Sequence, residues 1–361
     1  MDRTPRSGAN IRWGGRACSA IVVVACAALA VVAASRIGYA RGILRPVPPR
    51  EAAFEVYDDD HAPCPPRYIH QIFGLRPEDG GVLPADWERG KESWIAAHDA
   101  RAVEFDADHA PMLLEESQRG EEEATWRYFL WDGAAVDALL RDDFPKHLRK
   151  TYAAYPRWVQ RADLARYAIL HRYGGVYADL DVMARRSFEP LRALCPEVAV
   201  ARADQALVDG AFLSPDLLIA RKGHQLLASV LEAMPAKAAT WSTQVLDVFC
   251  PYLAVMRTTG PMHLTAAFLS YTKKRPWPAG ALVVLGDGYY TGAVTDRKLV
   301  GHLAGRTWHE WDVGLWSRVP PAKFLGPAVA AWVAAAAVVL RRRRRRRRAA
   351  DSDSPALVKA V

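Results

Sequence analysis

Two aspartates, Asp179 and Asp181, follow a short apolar run, Val176-Tyr177-Ala178. Side chains two positions apart on a strand point the same way, so both carboxylates would face one side. Mn²⁺ and Mg²⁺ prefer carboxylate and phosphate oxygens, so the pair could hold a metal that bridges a diphosphate. Asp181 is the candidate direct ligand, and Asp179 would be a second ligand or would hold a metal-bound water. By itself this spacing is more typical of a solvated turn.

The residues before the aspartates predict a helix that ends abruptly. The run Trp158–Tyr173 is amphipathic, with Asp163 and Arg166 three positions apart on one flank. Gly174-Gly175 would end it, because a helix C-terminus commonly needs a residue with positive φ. A buried strand, Val176–Ala178, would then carry the aspartates at its carboxyl end.

This whole segment resembles a family of DXD-containing glycosyltransferases that includes the yeast initiating α-1,6-mannosyltransferase and the inositol phosphorylceramide mannosyltransferases. The family pattern is D-x-x-R-Y-x-x-L-x-x-x-G-G-x-Y-x-D-x-D. Every position of it is filled here, by Asp163, Arg166, Tyr167, Leu170, Gly174, Gly175, Tyr177, Asp179 and Asp181. Such a match is far more specific than two aspartates alone.

The resemblance implies a GT-A fold, which is an α/β fold with a mostly parallel sheet flanked by helices. It also implies retaining transfer of a sugar from a nucleotide donor, with Mn²⁺ or Mg²⁺ as cofactor. Asp163 and Arg166 would orient the ribose and the sugar or diphosphate, and Asp179 would hold the ribose hydroxyls or a metal-bound water. Gly174 and Gly175 would lie at the donor, and Tyr177 would line the nucleotide pocket. No residue stands out as a nucleophile or base.

Two further segments match the family in part. His70 and Gln71 lie in a β-prone run that fits I-H-Q-x-W, with Phe73 in place of the tryptophan. They are candidate donor-binding residues. A histidine taken alone is more often a satisfied strand residue, but the position of His70 in the first strand of a nucleotide-binding sheet favours a role at the donor. Asp216 fits S-N-D in a segment that ends in Gly-His, but Pro215 replaces the asparagine, so only Asp216 is carried over to the donor site.

The end of the body carries the last matches. In the resembling enzymes a histidine or acidic residue completes the metal site and a tryptophan several positions on covers the donor, which His302 and Trp308 fit. Thr307 occupies a position where the family usually has serine. The alternative interpretation of this segment is an aromatic-rich loop that packs on the sheet. Thr259-Gly260-Pro261 resembles a T-G-P turn of the family, but a plain helix start explains it equally well.

The wider pattern alternates strands with helices. Helices are predicted at 87–97, at 134–155 with a break at Pro145, and at 262–271; strands are predicted at 67–73, 125–131, 197–203 and 217–220. This order is typical of a mostly parallel sheet, which binds ligands at the carboxyl ends of its strands.

Composition narrows the function classes. The chain has 361 residues, is 51% hydrophobic and carries a formal charge of +8. Arg341–Arg348 supply all of that excess, so the rest is balanced and does not resemble a nucleic-acid-binding surface. An arginine octet could bind nucleic acid or direct nuclear import. Because it follows the apolar run Phe324–Leu340, a stop-transfer flank is the favoured interpretation.

Two apolar runs indicate membrane attachment. Ala17–Ser35 is uncharged and long enough to cross a bilayer, although a cleaved signal peptide is an alternative. The run Phe324–Leu340 contains Gly326-Pro327, so it is a marginal span or an interfacial helix. If both cross, residues 1–16 and 341–361 are cytosolic, and the catalytic part lies in the lumen of the Golgi or endoplasmic reticulum.

Between these runs, residues 36–66 are proline-rich and predict a stem, and residues 67–318 predict the glycosyltransferase domain. This body contains or adjoins Cys64, Cys195 and Cys250, which allow at most one internal disulfide. A zinc site is not expected, because no C-x-x-C motif or Cys/His cluster occurs.

The sequence thus predicts a membrane-anchored transferase that moves mannose from GDP-mannose to inositol phosphorylceramide or to a glycan. A UDP-sugar enzyme acting on glycoproteins is the alternative within the same class. A non-catalytic, membrane-tethered binding scaffold is the alternative from another class, and a nucleic-acid partner is not expected.

Overall fold

The computed structural model describes residues 64–76, 81–111, 125–202, 212–240, 243, 247–248, 251–273, 282–285 and 298–303. All of them lie in one of the chain's two compact units, Pro46–Arg318. Both apolar end runs, the arginine octet, Cys250 and Trp308 lie outside the described residues. Within these ranges, no helix is both long and apolar enough to cross a membrane.

The strands among the described residues are β1 (Tyr68–Ile72), β2 (Arg101–Ala102), β3 (Arg127–Trp131), β4 (Gly175–Ala178), β5 (Val182–Ala184), β6 (Val198–Arg202), β7 (Leu213–Ala220), β8 (Leu282–Leu285) and β9 (Val300–His302). Seven of them form one sheet in the order β2-β3-β1-β4-β7-β6-β8, and β5 pairs with β9 in a second, two-stranded sheet. In the large sheet only β7 pairs antiparallel with its neighbours, so the other six strands run the same way. The predicted mostly parallel α/β sheet is confirmed.

The helices in the same ranges are α1 (Ala85–His98), α2 (Gly133–Asp142), α3 (Lys146–Ala154), α4 (Trp158–Tyr173), α5 (Glu189–Ala193), α6 (Gln225–Ala238), α7 (Pro251–Thr258) and α8 (Pro261–Lys273). The predicted break at Pro145 is confirmed: this residue is the N-cap of α3 and cannot continue α2. Asp132 caps α2 by accepting a hydrogen bond from the backbone N–H of Ala135 at 2.8 Å.

Apolar side chains cover both faces of the large sheet, as the alternation within each strand requires. In β4, Tyr177 joins the core cluster that includes α2, α3, α4, α6 and α8. Val176 and Ala178 point the other way, into the cluster that includes Trp94 of α1 and Phe188. Burial on both faces explains why this strand is a continuous apolar run rather than an alternating one.

One sequence prediction needs correction. Helix α4 was expected to be amphipathic, but its residues 163–170 are all buried, Asp163 and Arg166 included. The reason is its position: α4 contacts β1, β4 and β7 on one side and helices α3, α6 and α7 on others. Its two buried charged residues, Asp163 and Arg166, therefore have to be neutralised by partners inside the protein.

Candidate functional site

The two aspartates lie at the carboxyl end of β4, near the centre of the large sheet. Backbone hydrogen bonds fix the loop that carries them. The N–H of Asp179 donates to the carbonyl of Asp216 on β7 at 2.8 Å, and the N–H of Leu303 after β9 donates to the carbonyl of Asp181 at 2.7 Å. Two strands that are distant in sequence, β7 and β9, thus meet at the DXD loop.

The glycine pair before β4 is required by backbone geometry. Gly174 and Gly175 have φ values of 71° and 99°, which favour glycine. A Cβ on Gly175 would stand 2.6 Å from the carbonyl oxygen of Tyr68, and one on Gly174 would stand 2.7 Å from the backbone nitrogen of Lys222. The pair lets α4 end directly against β1 and leads the chain into β4. The expected contact with a donor stays a prediction.

His70 and Gln71, on β1, act on the two ends of β4. The Nε2–H of His70 donates to the carbonyl of Gly174 at 3.0 Å, while its Nδ1 accepts from the Trp131 indole at 3.1 Å. Burial lowers the pKa of His70 to about 3, so the ring is neutral. The Nε2 amide group of Gln71 donates to the carbonyl of Asp179 at 3.2 Å.

Arg166 forms ion pairs with Asp163 of α4 and with Asp179 of the DXD loop. Its Nη2 lies 3.2 Å from Asp163 Oδ1 and 3.2 Å from Asp179 Oδ1. The guanidinium carbon is 5.0 Å from the centre of the Tyr177 ring, and the Tyr177 hydroxyl donates to Asp179 Oδ1 at 2.8 Å. Burial would lower the pKa of Arg166, but Asp179, Tyr177 and Asp163 raise it well above its usual value. Arg166 is therefore the fixed positive charge behind the DXD loop.

Thr259 is a member of this network that the sequence did not identify as chemically important. Its hydroxyl donates to Asp163 Oδ2 at 2.6 Å, and its carbonyl accepts from the Tyr167 hydroxyl at 3.0 Å. The T-G-P turn thus holds the side chain of Asp163 in addition to starting α8. The only sequence signal was the turn itself, because the two residues are 96 positions apart.

The carboxylates at the loop are not fully neutralised by the protein. Burial raises the pKa of Asp179 to about 8; Arg166 opposes this rise, and Asp181 and Asp216 add to it. Burial has the largest effect on Asp181 and raises its pKa, and the charge of Asp216 raises this pKa further. His302 lowers it. Negative charges gathered under partial burial favour a bound cation.

Asp216 and His302 lie beside the DXD loop, on the two strands whose backbones bond to it. His302 Nε2 lies 3.8 Å from Asp216 Oδ2, and His302 pairs in register with Val182. The structure therefore brings Asp179, Asp181, Asp216 and His302 together, as the family resemblance implies, while Trp308 lies outside the described residues.

The donor set of the site fits a hard divalent ion. Asp179 and Asp181 offer carboxylate oxygens, the ligands that Mg²⁺ and Mn²⁺ prefer. In the described part of the chain, no three His, Cys, Asp or Glu residues already form a group that could hold a metal. An ion of this kind is commonly held by one or two carboxylates, with substrate phosphates and water as further ligands.

Comparison with known proteins finds a family match for the part of the chain that includes Asp163, Arg166, Asp179 and Asp181. Residues 84–196 match the family described as "Glycosyltransferase sugar-binding region containing DXD motif". The chain is 32% identical over 219 residues to inositol phosphoceramide mannosyltransferase 3 of Schizosaccharomyces pombe, a match that covers 61% of this chain and 49% of that protein. It is 25% identical over 250 residues to mannosyl phosphorylinositol ceramide synthase SUR1 of Saccharomyces cerevisiae, covering 69% and 53%.

The chain therefore spans about half the length of these curated relatives. Among solved structures, the PaToxG glycosyltransferase aligns with a TM-score of 0.38 and 14% identity, over 70% of this chain and 80% of that one. The resemblance found in the sequence is confirmed for residues 84–196, which contain the DXD loop and match the model of this family.

Proposed function

We propose that the protein is a metal-dependent, retaining glycosyltransferase of the GT-A type that transfers mannose from GDP-mannose to an inositol phosphorylceramide lipid. The observation that carries this proposal is the convergence of Asp179, Asp181, Asp216 and His302 at the carboxyl end of β4, backed by buried Arg166. Ligands of α/β sheets bind at that end of the strands.

The residues of the DXD loop would hold the metal, and Arg166 and Tyr177 fix one of these residues, Asp179. Asp181 and Asp179 would hold Mn²⁺ or Mg²⁺, with His302 beside them. When bound, such an ion stabilises the negative charge that develops on the departing diphosphate. Arg166 keeps Asp179 in place through an ion pair at 3.2 Å, and Tyr177 fixes the same oxygen from another direction.

The contacts that orient the donor are proposed from the resemblance. Asp163, Arg166 and Asp216 would position the ribose and the sugar or diphosphate, and Trp308 would cover the donor. Asp163 is 2% exposed and Arg166 4%. We therefore propose that these two act mainly by fixing the carboxylates that line the site, and that Asp216, with a side chain 19% exposed, is the one that touches the donor.

The acceptor and the sugar are proposed from the relatives. The Schizosaccharomyces pombe relative is named an inositol phosphoceramide mannosyltransferase, and the Saccharomyces cerevisiae relatives are named mannosyl phosphorylinositol ceramide synthases. Membrane segments at 17–35 and 324–340 would hold the site close to a lipid acceptor. They would also place it in the lumen of the Golgi or endoplasmic reticulum.

A disulfide supports that compartment. Cys64, just before β1, is bonded to Cys195, which follows α5. Disulfides persist in the oxidising secretory pathway and are rare in the cytosol. The same end of the domain is held by Glu189, which accepts hydrogen bonds from Arg67 at 2.7 and 2.8 Å.

The proposal is tested with the full chain in detergent, Mn²⁺, an inositol phosphorylceramide acceptor, and GDP-mannose or a UDP-sugar. Mass spectrometry should show the lipid gaining one hexose from GDP-mannose only, and not in Asp181→Asn. Gain of a hexose from a UDP-sugar would favour the alternative transferase. Nucleotide binding without any transfer would favour a scaffold.

A further inference from the structure

Helix α1 lies against the loop that carries the two aspartates and against the strand that follows it. Gly90, Trp94 and His98 are spaced four residues apart, so they share one face of the helix, and all three are buried. The Trp94 indole N–H donates to the carbonyl of Val182 at 2.7 Å. His98 Nε2 accepts from the backbone N–H of Phe188 at 2.8 Å.

Ser93 adds a second contact to β5. Its hydroxyl oxygen accepts from the backbone N–H of Ala184 at 3.0 Å and its O–H donates to the carbonyl of Gly90 at 2.6 Å. With Trp94, it supplies hydrogen bonds to two backbone groups of the strand whose other edge pairs with β9. Helix α1 therefore fixes the chain directly after Asp181 at both Val182 and Ala184.

Gly90 is a point of close approach between this helix and the DXD loop. A Cβ at Gly90 would stand 2.0 Å from the carbonyl oxygen of Leu180 and 3.1 Å from its carbonyl carbon. Leu180 is the residue between the two aspartates, and the atoms in question are backbone, so the loop itself would have to move. Glycine lowers helix stability relative to alanine, so its use inside α1 calls for a local reason, and this approach supplies one.

We propose that Gly90 is a positioning residue for the metal and diphosphate site. Because Gly90 has no side chain, α1 packs directly against the backbone of Leu180. This contact sets the direction in which Asp179 and Asp181 point. Trp94 and Ser93 hold the following strand so that the loop cannot relax away. The inference rests on the proposed function, because it concerns the geometry of the same carboxylates.

The test measures Mn²⁺ binding to the full chain in detergent with GDP present. Electron paramagnetic resonance quantifies the free Mn²⁺. Gly90→Ala should weaken Mn²⁺ binding at least about tenfold, because the loop is displaced. The matched control is Glu92→Ala, which places the same residue on the exposed face of the same helix and should bind like the wild type. Thermal unfolding of each variant is recorded in parallel.

If Gly90→Ala binds Mn²⁺ with wild-type affinity, the inference is overturned, because displacement of the DXD loop would then leave Mn²⁺ binding unchanged. Should Gly90→Ala fail to fold, Ser93→Ala decides: about threefold weaker Mn²⁺ binding supports the inference, and unchanged binding overturns it. If the wild type itself binds no Mn²⁺ with GDP, the proposed function fails, and the inference fails with it. That result is distinct from a defect seen only in the variants.

Discussion

Replacing Arg166 with methionine should destabilise the fold strongly, because the buried carboxylate of Asp163 and the partly exposed carboxylate of Asp179 would lose their shared partner. At 3.2 Å and an effective dielectric constant near 20, each contact with Asp163 or Asp179 has a gross Coulomb energy of about 5 kcal/mol. Desolvation of the charges offsets much of this. Removal of one partner of a buried ion pair typically costs about 3–5 kcal/mol.

The assay is thermal and urea unfolding of Arg166→Met beside Arg172→Met. Arg172 lies on the same helix and pairs with Asp143 at 2.8 Å, but its side chain is 38% exposed. An exposed pair contributes about 0–1 kcal/mol. A loss of about 3–5 kcal/mol corresponds to a midpoint lower by roughly 6–20 °C for a domain of this size.

A double variant tests the electrostatic reason. Arg166→Met with Asp163→Asn removes one of the uncompensated charges and should recover about 1–2 kcal/mol relative to Arg166→Met alone. Equal losses for Arg166→Met and Arg172→Met would refute the reasoning, because Arg166 would then behave as a surface residue. Absence of any recovery in the double variant would place the cost in packing instead of charge.

Three further variants probe the fold around the site. Serine at both Cys64 and Cys195 should lower the free energy of unfolding by about 2–5 kcal/mol in non-reducing urea titrations, and an unchanged midpoint would contradict the disulfide. Burial lowers the pKa of His70 to about 3 in the folded state, so this residue should lower the free energy of unfolding as the pH drops from about 6.5 toward 3. Its contribution is up to about 1.4 kcal/mol per pH unit. In His70→Gln the free energy of unfolding should depend less steeply on pH than in the wild type. Equal slopes for the two proteins between pH 7 and pH 5 would contradict this prediction. Thr259→Val should cost about 1–3 kcal/mol in thermal unfolding, because Asp163 loses its 2.6 Å hydrogen bond, whereas a midpoint within 1 °C or so would argue that water replaces it.

The helix, glycine pair and strand around the DXD motif were predictable because their signals are local. Gly174-Gly175 ends α4 as the positive φ values require, and the apolar run after it is β4. The family pattern then related Asp163, Arg166 and Tyr177 to Asp179 and Asp181, and the structure brings Asp163, Arg166, Tyr177 and Asp179 into one network.

Other features depend on contacts between distant parts of the chain, which periodicity does not reveal. Thr259 reaches Asp163 across 96 residues, and Trp94 reaches Val182 across 88. Gly90 carried no signal as a helical glycine until the position of Leu180 was known. The antiparallel direction of β7 was likewise unpredictable, because strand periodicity is the same in both directions.

The most direct measurement is calorimetric titration of the full chain with GDP, in Mn²⁺ and in its absence, for the wild type, Asp181→Asn and Asp86→Asn. Asp86 is an exposed residue of α1 and serves as the matched control. The account predicts Mn²⁺-dependent GDP binding that is at least about tenfold weaker, or about 1.4 kcal/mol, in Asp181→Asn and unchanged in Asp86→Asn. Equal Mn²⁺-dependent affinities for all three proteins would contradict the assignment of the DXD loop as the metal and diphosphate site.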